Sequence, residues 1–146
     1  MKKKIFSFIL LIIIIAISGI KAKAQLGEYY RQVEQYEQNN ITYKDNDVIV
    51  KDFFNCTKVF IFVNGQCASG ILLYKDSDLQ TQSGLITLMN GYDTWEHSST
   101  RDGWISTMKL SDDRNYRVFT YIKWNEVYKQ YGLTMVLPHL YNLSID

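Results

Sequence analysis

The chain has 146 residues, 47% of them hydrophobic and 14% aromatic, with 16 basic and 15 acidic side chains and a single proline. That length suits one domain with a real core, and the aromatic content excludes an intrinsically disordered chain. No repeat, low-complexity tract or internal linker interrupts it.

The N-terminus reads MKKKIFSFILLIIIIAISGIKAKAQ. Lys2, Lys3 and Lys4 form a positive start, Ile5 to Ile20 is apolar apart from Ser7, Ser18 and Gly19, and Ala22-Lys23-Ala24 places small residues at −3 and −1. This pattern predicts a signal peptide over residues 1–24, cleaved before Gln25, and a single globular domain over residues 25–146. The apolar run gives about 24 Å of helix, short of the roughly 30 Å hydrocarbon core, so no stable membrane anchor is expected after cleavage. Removing residues 1–24 takes five basic residues and no acidic ones, leaving 11 against 15 and a net charge of −4. Nucleic acid and anionic membrane surfaces are excluded as partners on that balance. The expected location is secreted or periplasmic.

Leu26 to Asn39 carries apolar residues at helical spacing, namely Leu26, Tyr29, Tyr30, Val33 and Tyr36, and predicts a helix. Asp47 to Val50 is a short predicted strand. Thr57 to Val63 is a stronger one, with Val59, Ile61 and Val63 on one face and Phe60 and Phe62 on the other. A strand apolar on both sides is expected to be central and covered on both faces. Asn64-Gly65 is the preferred type I′ hairpin pair, and Ser69 to Tyr74 returns. In that register Phe62 faces Cys67, Ile61 faces Ala68, Phe60 faces Ser69 and Val59 faces Gly70.

Leu85 to Met89 is predicted as a strand ended by Asn90-Gly91, with Tyr92 to Glu96 pairing back and Trp95 opposite Ile86. Trp104 to Leu110 and Tyr116 to Trp124 flank a polar turn as a third hairpin, with Met108 opposite Phe119 and Ile105 opposite Ile122. Asn125 is a predicted N-cap for a short helix from Glu126 to Tyr131, with Gly132 at its end, and Leu133 to Leu137 is the last strand. The expected fold is α+β, an N-terminal helix packed on an antiparallel meander sheet of about 6–8 strands. A small β-barrel or β-sandwich with an appended helix is the alternative.

Cys56 and Cys67 could bridge in an exported chain. An extended Thr57 to Val63 opposes this. It carries Cys56 about 23 Å from Val63, and four residues return at most about 14 Å, so the Cα atoms of the two cysteines stay beyond the roughly 7 Å that a disulfide tolerates. The apolar strand running into Cys67, with Ser69-Gly70 behind it, resembles the nucleophile strand of caspase- and legumain-like peptidases. That family takes its base from a histidine upstream of the cysteine. Both histidines here, His97 and His139, lie downstream, so the resemblance is rejected. A Cys67–His97 pair remains the catalytic alternative, as a secreted cysteine hydrolase.

Asp93, Glu96 and His97 carry no metal-ligand spacing suited to strand and loop, so no metal site is assigned. Asp45/Asp47, Asp76/Asp78 and Asp112/Asp113 sit at predicted turns, where the carboxylate bonds nearby backbone N–H groups. No phosphate-binding glycine loop or other cofactor motif is present. Asn40, Asn55 and Asn142 open Asn-X-Ser/Thr triplets, which matter only under eukaryotic glycosylation. Trp95, Trp104 and Trp124 fall at predicted strand ends beside polar loops, and rings so placed can stack on a sugar or anchor a peptide. The expectation is therefore a small exported, non-catalytic binding or interaction module for a protein, peptide or glycan, with these tryptophans as ligand-binding residues. An envelope or assembly component that pairs through an edge strand is a further alternative.

Overall fold

The computed structural model describes residues 25–110 and 112–143. The predicted signal peptide lies outside the described residues, as do Ser111 of the third predicted turn and Ser144 of the last Asn-X-Ser/Thr triplet.

The chain forms one open, eight-stranded antiparallel sheet with a few short helices and is mostly β. Helix α1 (Tyr30–Gln35) leads into β1 (Ile41–Lys44), β2 (Val48–Asp52), β3 (Cys56–Val63) and β4 (Gln66–Tyr74). Helix α2 (Gln82–Asn90) then leads into β5 (Glu96–His97), β6 (Trp104–Lys109), β7 (Asn115–Asn125) and β8 (Gln130–Val136). The sheet order is β1-β2-β3-β4-β8-β7-β6-β5. It is two four-stranded meanders, each preceded by a helix, joined where Ser69 to Leu72 of β4 pairs with Leu133 to Val136 of β8. The α2 segment carries the chain to the far edge, and the second meander works back to the first. The sheet does not close into a barrel or fold into a sandwich.

Several elements differ from the sequence reading. Six residues form α1, not the fourteen from Leu26 to Asn39. Leu26 and Gly27 form a turn in which Gly27 takes a left-handed φ of 82°, and Tyr29 is bridged to Gln66 of β4, so the helix starts only at Tyr30; Glu37 takes a left-handed φ of 51°, which stops it. Leu85 to Met89 is helical rather than a strand. The Thr81 hydroxyl caps α2 by accepting the Gly84 N–H at 3.1 Å, and Leu85 and Met89, four apart, bury one face while Ile86 stays exposed. Gly91 has a right-handed φ of −79°, so Asn90-Gly91 ends a helix instead of making a hairpin, and Trp95 does not oppose Ile86. The Glu126 to Tyr131 helix is a turn between β7 and β8, in which Asn125 Oδ1 accepts the N–H groups of Val127 and Tyr128. The third hairpin pairs Ile105 with Phe119 and Met108 with Tyr116, three residues from the expected register.

The Asn64-Gly65 turn forms with both φ positive, 52° and 77°, and Phe62 opposes Cys67. Beyond that pair a bulge at Ala68 shifts the ladder, so Ile61 faces Ser69, Phe60 faces Gly70 and Val59 faces Ile71. The bulge accompanies competing partners. Cys67 exchanges backbone hydrogen bonds with Gly27 and Glu28, both at 2.8 Å, and Ala68 accepts the Leu137 N–H at 2.8 Å.

Directly paired residues share a face, so the register sorts the sheet into two sides. One side carries Ile49, Phe60, Leu72, Leu133 and Met135, buried in one cluster with Val33 of α1 and Leu85 and Met89 of α2. The other side carries Val59, Ile61, Ile71 and Tyr121, which are half-buried, beside Ser69, Phe119, Thr134 and Val136, which are buried. The expected cover on both faces of β3 is therefore complete on one and partial on the other, where Thr57 is buried opposite Leu73 while Val59 and Ile61 stay half-buried.

Lys51 sits fully buried on the covered face and ties α1 to the sheet. Its ammonium donates to the Val33 carbonyl at 2.6 Å and to the Tyr36 carbonyl, two acceptors left open at the helix end. It lies over the Phe60 ring at 5.2 Å and the Tyr36 ring at 5.5 Å. Tyr30 adds a second tie through its ring against Phe62 at 4.8 Å and its hydroxyl to the Asp45 carbonyl at 2.6 Å.

Burial pushes Lys51 down to about 8, with Glu37 opposing the shift and Lys58, directly across the ladder, adding to it. Between that value and the ordinary lysine value the unfolded chain holds more protons at this site than the folded one, so its contribution to stability rises with pH. Wild type should gain about 1 kcal/mol over Lys51→Met between pH 7 and pH 9. Urea denaturation midpoints of both proteins at the two pH values check this, and parallel shifts would contradict it.

Candidate functional site

The candidate site is the side of the sheet that the helices leave open. A groove of about 700 Å³ crosses β3, β4, β8 and β7 there. Two rows of the register make its floor. Ile61, Ser69, Val136 and Phe119 form one, and Ile71, Thr134 and Tyr121 form the other. Alternation within each strand puts these residues on one face, and β-branched and aromatic side chains dominate it.

Two segments wall the groove. After β8, Pro138–Tyr141 makes one 3₁₀ turn that brings Tyr141 back over the sheet, where its hydroxyl hydrogen-bonds the Ser69 hydroxyl at 3.1 Å. Leu143 lines the same side. Opposite, the loop between β5 and β6 supplies Arg101 and Asp102. Ser98 shapes that loop: its hydroxyl accepts the Arg101 N–H at 3.1 Å and its own N–H donates to the Gly103 carbonyl at 2.8 Å. Gly103 permits a close approach, since a Cβ there would meet the Phe119 ring and the Thr120 carbonyl at 2.5 Å. Lys123, two residues beyond Tyr121 on β7, completes the polar rim. The Phe119 and Tyr121 rings stack at 5.8 Å. A smaller, more polar recess of about 260 Å³ lies elsewhere, between Gln66, Asp112, Tyr29 and Tyr116.

The residues singled out in the sequence do not meet here. Cys67 is fully buried on the helix-covered face, and its thiol is pushed up to about 12 by burial and by Glu28, against the pull of Lys51. His97 is exposed on β5, edge-on to Trp104 at 5.5 Å. Four strand spacings, about 19 Å, separate β4 from β5, so Cys67 and His97 are not in reach of one another. The two cysteines form no disulfide and are buried at opposite ends of the β3–β4 hairpin, where Cys56 opposes Tyr74 and Cys67 opposes Phe62.

The tryptophans are dispersed. Trp104 is buried in the core, with its indole N–H donating to Asn90 Oδ1 at 3.2 Å. Trp95 is half-buried against the same core. Trp124 is exposed and stands edge-on to Tyr131 at 5.2 Å. None of the three lines the groove. Among the described residues no three His, Cys, Asp or Glu side chains converge as a metal site. The turn aspartates do local work. Asp45 Oδ1 accepts the N–H groups of Asp47 and Val48 at 2.8 Å, and Asp112 accepts the Tyr116 hydroxyl on Oδ2 and the Arg114 N–H on Oδ1 at 3.0 Å, which holds both carboxyls below their usual range.

The groove residues were visible in the sequence only as strand residues. Val59 and Ile61 stood out as the second apolar face of β3, and that surplus of apolar side chain was the available signal. Arg101 and Lys123 carried none.

Both edges of the sheet are short. β1 has four residues, an irregularity between Ile41 and Tyr43, and Lys44 at its end, while β5 has two residues. These features discourage strand addition.

Comparison of the chain with protein-family models, with curated proteins and with solved structures finds no match in any of the three.

The burial of Cys67 sets its reactivity. Iodoacetamide should leave it unmodified in the native protein at pH 8 and alkylate it fully in denaturant. Rapid native labelling, mapped by peptide mass, would contradict the placement.

Proposed function

We propose that this protein is an exported, non-catalytic binding domain whose working surface is the open face of the sheet. One observation carries the reading. The central strands present apolar side chains on both faces, the helices cover one, and the other holds a groove of about 700 Å³ between two walls. That volume is within the range of ligand sites, and an apolar lining with a few convergent polar groups is their usual character. Ser69, Thr134, Tyr121 and Tyr141 supply hydroxyls, and Arg101, Asp102 and Lys123 supply charge. The buried, strongly protonated Cys67 offers no nucleophile to this surface, which supports a binding role over hydrolysis.

The N-terminal Lys-rich, apolar and Ala-Lys-Ala pattern supports export. The groove displaces the tryptophans as the ligand contact in this proposal, because it gathers residues from four strands and the tryptophans do not share a surface.

The test is chemical-shift mapping of labelled protein against a panel of peptides, glycans and small amphiphiles. Shifts should cluster at residues 69–71, 119–123 and 134–136, and Ile71→Glu should abolish the response. Shifts confined to Trp95 and Trp124, or no response to any member, would overturn the reading.

A further inference from the structure

The walls and rim of the groove carry more than a general binding surface, and they narrow the chemistry of its occupant. The floor lies on β3, β4, β8 and β7, which are interior strands. Their backbone N–H and C=O groups are already engaged in the ladders on either side. An extended peptide laid across this face would give up hydration of its own backbone and find no ladder to join, which is costly. A hydrocarbon chain carries no such groups and gains from the apolar floor of Ile61, Ile71 and Val136. A sugar needs an open aromatic face and planar polar partners. Phe119 and Tyr121 stack on one another, and among the described residues no Asn or Gln lines the groove.

The rim then distinguishes one end of such a chain from the other. Among the described residues lining the groove, Arg101, on the loop laid over Phe119, and Lys123, beyond Tyr121 on β7, place two cations on the β7 side against the single carboxylate of Asp102. The opposite wall is Tyr141 and Leu143, where the tyrosine hydroxyl is engaged by Ser69. The local surplus of positive charge is opposite in sign to the chain beyond residue 24, which carries 11 basic and 15 acidic residues. From β3 to β7 the floor spans three strand spacings, about 14 Å, which suits a medium-length alkyl chain.

We infer that the groove binds a free medium-chain carboxylate, its alkyl chain on Ile61, Ile71 and Val136 and its head at Arg101 and Lys123. The inference rests on the reading of the open face as the working surface, and it adds the ligand class.

The test is a calorimetric titration of the protein with dodecanoate, dodecanol and dodecyltrimethylammonium below their micellar concentrations. Methyl shifts of Ile61 and Ile71 report the location. Dodecanoate should bind at one per chain and about tenfold more tightly than dodecanol, because its head makes a charge-assisted contact. The double variant Arg101→Ala/Lys123→Ala should remove that advantage and leave dodecanol binding unchanged, a control that does not depend on disturbing the floor. Equal affinity for dodecanoate and dodecanol overturns the inference while the open face stands as a binding surface. Preference for the trimethylammonium head, or groove shifts produced by peptides and not by dodecanoate, also overturns it. Failure of all three amphiphiles, when the wider panel still shifts the groove residues, defeats the inference alone. Silence across both panels defeats the inference and the binding role together.

Discussion

The sheet has two apolar faces and enough helix to cover one. This mismatch organises the molecule. Eight strands offer a broad surface, while α1 and α2 are six and nine residues long and both add side chains to the same cluster. On that side Phe60, Leu72 and Leu133 are buried to within 2% of full burial. Burying such side chains contributes about 1.5–3 kcal/mol each, so the covered face supplies the main driving force for folding. On the other side Ile61 and Ile71 keep part of their surface in water, under the partial shelter of the Tyr141 turn and the loop at Arg101. The groove is what that partial shelter leaves between the walls.

Docking a helix as short as α1 demands specific ties, because six residues hold little helical stability of their own. Lys51 provides one. Its ammonium fills the acceptors at the end of α1, and the same buried position costs it part of its basicity. The Ala68 bulge belongs to the same arrangement. It frees the end of β4 to exchange backbone hydrogen bonds with Gly27 and Glu28 and to take in the Leu137 N–H. That last bond leads the chain from β8 into the turn that carries Tyr141 over the groove. The covered side and the open side are thus joined through the first residues of β4.

The legible parts of the sequence were those in which a local rule acts alone. Asn64-Gly65 specified its turn because both residues accept positive φ, and the antiparallel character followed from the spacing of such signals. Where two rules competed, the local reading failed. Leu85 to Met89 is short and apolar enough for a strand, and only the Thr81 cap and the four-residue spacing of Leu85 and Met89 reveal α2. Asn90-Gly91 read as a hairpin because a helix end uses the same residues. Asn125 caps a turn with the hydrogen bonds that would also start a helix. Sheet order and the Ala68 bulge depend on contacts far apart in sequence, so neither was available from local pattern. The candidate site was legible only as an unexplained surplus, the second apolar face of β3. The eye-catching residues led elsewhere, since Cys67 and Trp104 serve the core.

The central claim is that the two faces of the sheet differ in their access to solvent. Broadening of isoleucine and leucine methyl signals by a soluble paramagnetic agent measures this directly in the ligand-free protein. The account predicts strong broadening at Ile61 and Ile71 and little at Ile49, Leu72 and Leu133. Equal protection of both sets would show the second face to be covered and would contradict the account.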